Sequence, residues 1–110
     1  MIQERIDQIE ATLQGATNLS PETKAELLRL LGELKTEVTP LTGMFDEDAQ
    51  SIAGFTDASV REAVRSQQKP ELTEAALKGL TSSVEGFEAS HPNLVQIVNR
   101  IALTLSNMGI

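Results

Sequence analysis

Cysteine, tryptophan and tyrosine are all absent from the 110 residues, histidine occurs once, and phenylalanine three times. Without cysteine there are neither disulfides nor thiolate metal sites. With only Phe45, Phe55 and Phe87 as aromatics, the core must be built from leucine, isoleucine, valine and alanine, which favours helices packed close together. Cations are also scarce: nine lysines and arginines face sixteen carboxylates, for a formal charge of −7. An acidic surface without a basic patch repels phosphate backbones and anionic bilayers alike, so neither nucleic acid nor stable membrane insertion is expected. No apolar run approaches the roughly eighteen residues of a membrane span. Met1 to Arg5 lead into an amphipathic stretch, unlike the apolar block of a signal peptide, and a cytoplasmic location is the expectation.

What is present is globular in composition, with 40% hydrophobic and 23% charged residues, enough for a single domain over residues 1–110 with one modest core. The most apolar stretch is the last, residues 90–110, in which Arg100 is the only formally charged side chain. At 3.6 residues per turn, Leu94, Ile97, Val98, Ile101, Ala102, Leu105 and Met108 fall on one broad arc with Val95 at its edge. So wide a stripe suits contact with two or more neighbouring helices. A helix from Pro92 to about Asn107, closed by Met108, Gly109 and Ile110, is predicted to lie at the centre of the fold.

The earlier segments read as its cover. Ile2, Ile6, Ile9 and Leu13 form a narrow, coiled-coil-like seam on a first helix that Gly15 stops, and Leu19 is placed to pack back onto the next helix. Ser20-Pro21-Glu22 is a strong helix start, with a hydroxyl to accept an orphan N–H and a proline that has none to lose. The second helix should run to about Val38 and end at Thr39, Pro40, Thr42 and Gly43. Asp46, Glu47 and Asp48 open a third, about residues 46–66, where the helix dipole favours carboxylates. Phe45, Ala49, Ile52, Ala53, Val60, Ala63 and Val64 share its apolar face, and a kink is expected between Gly54 and Asp57. Pro70 opens a fourth helix carrying Leu72, Ala76, Leu77, Leu80, Val84 and Phe87, with Gly79 and Gly86 on an adjacent strip suited to a close crossing. Pro92 then forces a corner at residues 89–91. Strand alternation and hairpin dipeptides are missing. The fold class is therefore all-α: an antiparallel bundle of four to five helices.

The stretch Gly86-Phe87-Glu88-Ala89-Ser90-His91-Pro92-Asn93-Leu94 and the ending Asn107-Met108-Gly109-Ile110 resemble the bacterial family catalogued as domain of unknown function 4404. The Leu19-Ser20-Pro21-Glu22 turn fits the same likeness, and Gln50 to Phe55 looks like an insert of longer members, so the resemblance spans nearly the whole chain. It implies a short bacterial helical protein without an assigned activity or a catalytic residue to carry over.

Chemistry-bearing residues are few. His91 stands beside Phe87 and Glu88 with Arg100 about two turns on. It either caps the last helix or, with Phe87 and Arg100, forms a ligand or switch corner. Asp46 to Asp48 lack the alternating ligands and central glycine of a calcium loop. Ser51, Ser82 and Ser83 have no triad partner, and Gly54, Gly79 and Gly86 form no phosphate loop. No enzyme activity, cofactor or metal is expected. The expected function is a protein contact, with self-association as a homodimer through Ile2, Ile6, Ile9, Leu13 and Leu103. The alternative is a small-ligand pocket near Phe87 and His91. A third possibility is reversible membrane association of the first helix.

Overall fold

The computed structural model describes residues 1–108, which form five α-helices: α1 (Ile2–Gln14), α2 (Pro21–Val38), α3 (Asp46–Ala63), α4 (Pro70–Ser82) and α5 (Pro92–Met108). A 3-10 helix, Thr39–Gly43, joins α2 to α3, and no strand occurs among the described residues. The predicted closure at Gly109 and Ile110 lies outside them.

Packing closes the helices into a ring in the order α1, α2, α5, α4, α3, with α3 and α5 also touching across it. Side-chain pairs fix the directions. The Nζ of Lys24 at the start of α2 donates to the carbonyls of Gln14 and Ala16 at and just past the end of α1, at 3.2 and 2.9 Å, while Lys35 near the end of α2 pairs with Asp7; α1 and α2 are antiparallel. The Asp7 hydrogen bond is also the main reason the Lys35 pKa is raised. Arg5 Nη1 donates to Gln50 Oε1 at 3.3 Å at one end of α3, and Asn18 Nδ2 donates to the Val64 carbonyl at 3.4 Å at the other. Thus α1 and α3 run parallel. In a closed ring with an odd number of alternating rods, one neighbouring pair must run the same way, and this is that pair.

The core follows the sequence pattern closely. On α5 the buried residues are Leu94, Ile97, Val98, Ile101, Ala102 and Leu105, while Met108 and Val95 are partly buried at its edges. Ser20 caps α2 by accepting the Thr23 N–H at 3.1 Å, with Pro21 in the first turn, and Leu19 packs onto the core. The ring also places α3 in contact with α1, α4 and α5, so the centre of the fold is shared between α3 and α5.

Four expectations need correcting. Helix α3 passes through Gly54 unbroken and stops at Ala63. A Cβ at Gly54 would lie 3.2 Å from Arg5 Nη2, so the missing side chain makes room for the guanidinium that crosses from α1. Phe45 precedes α3, and Thr56 and Ser59 join Ala49, Ile52, Ala53, Val60 and Ala63 on its buried face. On α4, Thr73 points inward and Leu72 remains 44% exposed, because Thr73 lies about 20° from Leu80 around the helix axis and Leu72 about 80°. Finally, α4 ends at Ser82, and Gly86 sits in the following turns with φ +96, outside any helix crossing.

Ser59 is fully buried, and among the described residues its Oγ has no hydrogen-bond partner, whereas the neighbouring buried Thr56 Oγ1 donates to the Ile52 carbonyl at 2.7 Å. An orphaned buried hydroxyl costs stability. Replacing Ser59→Ala is expected to stabilise the protein by about 1 kcal/mol, read as a rise of about 4 °C in Tm; an unchanged or lower Tm would refute it.

Candidate functional site

At one end of the bundle the 3-10 helix, the start of α3 and the α4–α5 connection meet. The chain reaches this point through tight turns. Phe45 N–H donates to the Leu41 carbonyl at 2.6 Å, closing the 3-10 segment and turning Met44 and Phe45 outward. Gly86 takes the left-handed backbone that side chains resist, and its N–H donates to Glu88 Oε1 at 2.8 Å. His91 N–H then donates to the Phe87 carbonyl at 2.8 Å, and the His91 carbonyl accepts from Val95 in the first turn of α5.

These turns bring three rings together. Phe45 and Phe87 meet edge to face with centroids 5.5 Å apart, Phe87 and His91 at 5.3 Å, and Phe45 and His91 at 6.4 Å. Such perpendicular contacts match the positive edge of one ring to the negative face of another. Phe87 is buried beneath, His91 is half-buried with Nδ1 2.8 Å from Ser90 Oγ, and Phe45 is 38% exposed. Met44 beside it is 81% exposed. His91 thus occupies the cap position, its ring turned to Ser90 and the phenylalanines. Phe45 completes the group, and only the folded chain reveals its membership, since α3 and α4 separate it from Phe87 along the sequence.

The other candidates fall elsewhere. Arg100 is exposed and approaches Glu26 of α2 at 3.8 Å, well away from the aromatic corner. Ile2, Ile6, Ile9 and Leu13 are all buried in the chain's own core, so the expected α1 interaction stripe is not a surface: α2 and α3 cover it from both sides. Leu103 is 63% exposed on α5 and stands apart from that stripe. Ser51, Ser82 and Ser83 line a shallow cleft of about 310 Å3 with Asp48, Phe55, Gly79 and Glu85, and Ser83 Oγ is engaged by the Leu80 carbonyl at 2.6 Å. Among the described residues no three histidine or carboxylate side chains gather as metal ligands, and no helix is long and apolar enough to cross a membrane. Besides Lys35, two cations have raised pKa values: Arg29, hydrogen-bonded to Glu26, and Arg61, hydrogen-bonded to Asp57. Both are exposed pairs within one helix, of the kind that adds little to stability.

No curated protein and no solved structure matches the chain. A family model described as Domain of unknown function (DUF4404) matches residues 29–110. The matched stretch begins inside α2, so it includes the aromatic corner and leaves out α1 and the Leu19-Ser20-Pro21-Glu22 turn that the resemblance had also drawn on. Over α3, α4, α5 and the second half of α2, and through the corner that sets the rings together, the chain belongs to the domain of unknown function 4404 family.

Proposed function

We propose that this protein works by contact with another protein and not by catalysis, and that the contact is made at the aromatic end. The observation that supports this is the exposure of Phe45, whose ring packs against Phe87 and His91, together with the exposed Met44 next to it in the chain. Contiguous exposed apolar surface, unlike a scattered leucine, marks interaction sites. Self-association has less support than the sequence offered it, because the four α1 residues that would have carried it are interior. A small ligand between Phe87 and His91 also has less support: at 5.3 to 6.4 Å between centroids the three rings already fill one another's space.

The test is a comparison of the wild type with a Met44→Ser, Phe45→Ser double variant as bait in lysate of the source cells. Proteins held by the wild type and released by the variant, with helicity unchanged by circular dichroism, are the expected result. Identical retention by both baits would overturn the assignment of the contact to this end. Light scattering over a concentration series separates partner binding from self-association, since a dimer dissolved by the same double variant would identify the partner as a second copy.

A further inference from the structure

Charge is distributed unevenly along this bundle, and the imbalance is centred on the exposed rings. The two segments that build the aromatic end, residues 37–48 and 83–93, carry six carboxylates (Glu37, Asp46, Glu47, Asp48, Glu85 and Glu88) and neither lysine nor arginine. The start of α1 shares this end, with Met1 and Gln3 beside Asp46 and Arg5 against Gln50; it adds Glu4, Arg5 and the Met1 amine, and the end keeps a clear excess of negative charge. Helix stability accounts for only part of it. Asp46, Glu47 and Asp48 are in the first turn of α3, where the dipole favours them. Glu37 is the penultimate residue of α2, where the dipole favours a cation, and Glu85 lies in the turns after α4, outside any helix.

Resting on the protein-contact reading above, we infer that this end receives a basic amphipathic segment of another protein, a helix whose apolar side chains cover Met44 and Phe45 and whose lysines or arginines face the surrounding carboxylates. The chemistry selects that occupant. A second copy docking by the same end would set six carboxylates against six, and an anionic bilayer or a nucleic acid would meet the same repulsion. An uncharged apolar partner would leave the acidic rim desolvated without a counter-charge. A cationic segment gains from both features, because its charges steer the encounter and its apolar face displaces water from the rings. Methionine suits this use, since an unbranched thioether repacks around varied side chains.

The probe is a fluorescent synthetic helix of leucine and lysine several turns long, with a leucine–glutamate counterpart, titrated with the full chain and followed by anisotropy. Saturable binding of the lysine peptide that weakens with added salt is expected. The Met44→Ser, Phe45→Ser variant should weaken it roughly tenfold or more. Glu85→Gln with Glu88→Gln should weaken it and flatten the salt dependence. Asp46→Asn with Glu47→Gln should act in the same direction, with a thermal melt to verify the fold. Glu71→Gln with Glu74→Gln, at the opposite end of α4, should leave it unchanged. Failure of the lysine peptide to bind, equal binding of the glutamate peptide, or equal loss from carboxylates at both ends would overturn the inference. Should a lysate partner be lost from the double variant yet resist competition by the lysine peptide, the basic-segment inference falls while the contact reading stands.

Discussion

Replacing Ile9→Ala should lower stability by about 3 kcal/mol, within the 2–5 kcal/mol range for emptying a fully buried aliphatic site. Ile9 is fully enclosed between α1 and its neighbours, and a chain of this size is held by only about 5–15 kcal/mol in total. Ile9→Asp should go further and abolish cooperative unfolding at room temperature, because an unpaired carboxylate in this position is desolvated without a partner. Chemical denaturation measures both. A variant that keeps its midpoint but loses a dimer would mean that α1 belongs to an interface between chains, contrary to the packing described above.

The second large effect concerns Gly79 and Phe55. A Cβ at Gly79 would sit under 3.0 Å from three atoms of the Phe55 ring, so the ring from α3 occupies the space that a side chain at this position of α4 would need. Valine at this position cannot share the space: either the helices separate or the ring swings into water. Gly79→Val should cost about 2 kcal/mol, typical of overpacking. Because Phe55 is 40% exposed, removing the ring provides a clean control. In a Phe55→Ala background the same glycine substitution should become nearly neutral, and the double-mutant cycle reports the difference. Equal costs in both backgrounds would show that the glycine matters for some reason other than the ring.

How much of this was legible beforehand depends on whether a feature is local. The α5 arc, the Ser20-Pro21 start and the end of α2 at Val38 follow from spacing and capping within a few residues, and all three agree with the structure. Gly79 and Gly86 show where local reading stops. Helical spacing puts both on one strip, but only Gly79 is at a crossing, and Gly86 is the residue that allows the chain to leave helical geometry before Phe87. The apolar rhythm of α4 continued through Val84 and Phe87 because both are buried, though from turns. The α1 stripe was ambiguous in principle, since a seam of isoleucines looks the same whether the facing helix belongs to its own chain or another. Phe87 and His91 were paired from sequence. Phe45 was not, because its membership depends on how α3 enters the ring.

The parallel pair of α1 and α3 carries a consequence for how the protein is made. Helix α1 is made before the other four and can pair at once with α2, but its other flank waits for Gln50 and Val64, the residues that later receive Arg5 and Asn18. Until the chain has been translated beyond α3, the nascent hairpin offers part of its isoleucine row to solvent and to any chaperone near the exit tunnel. The earliest-made of the five helices is thus among those whose surroundings are completed late.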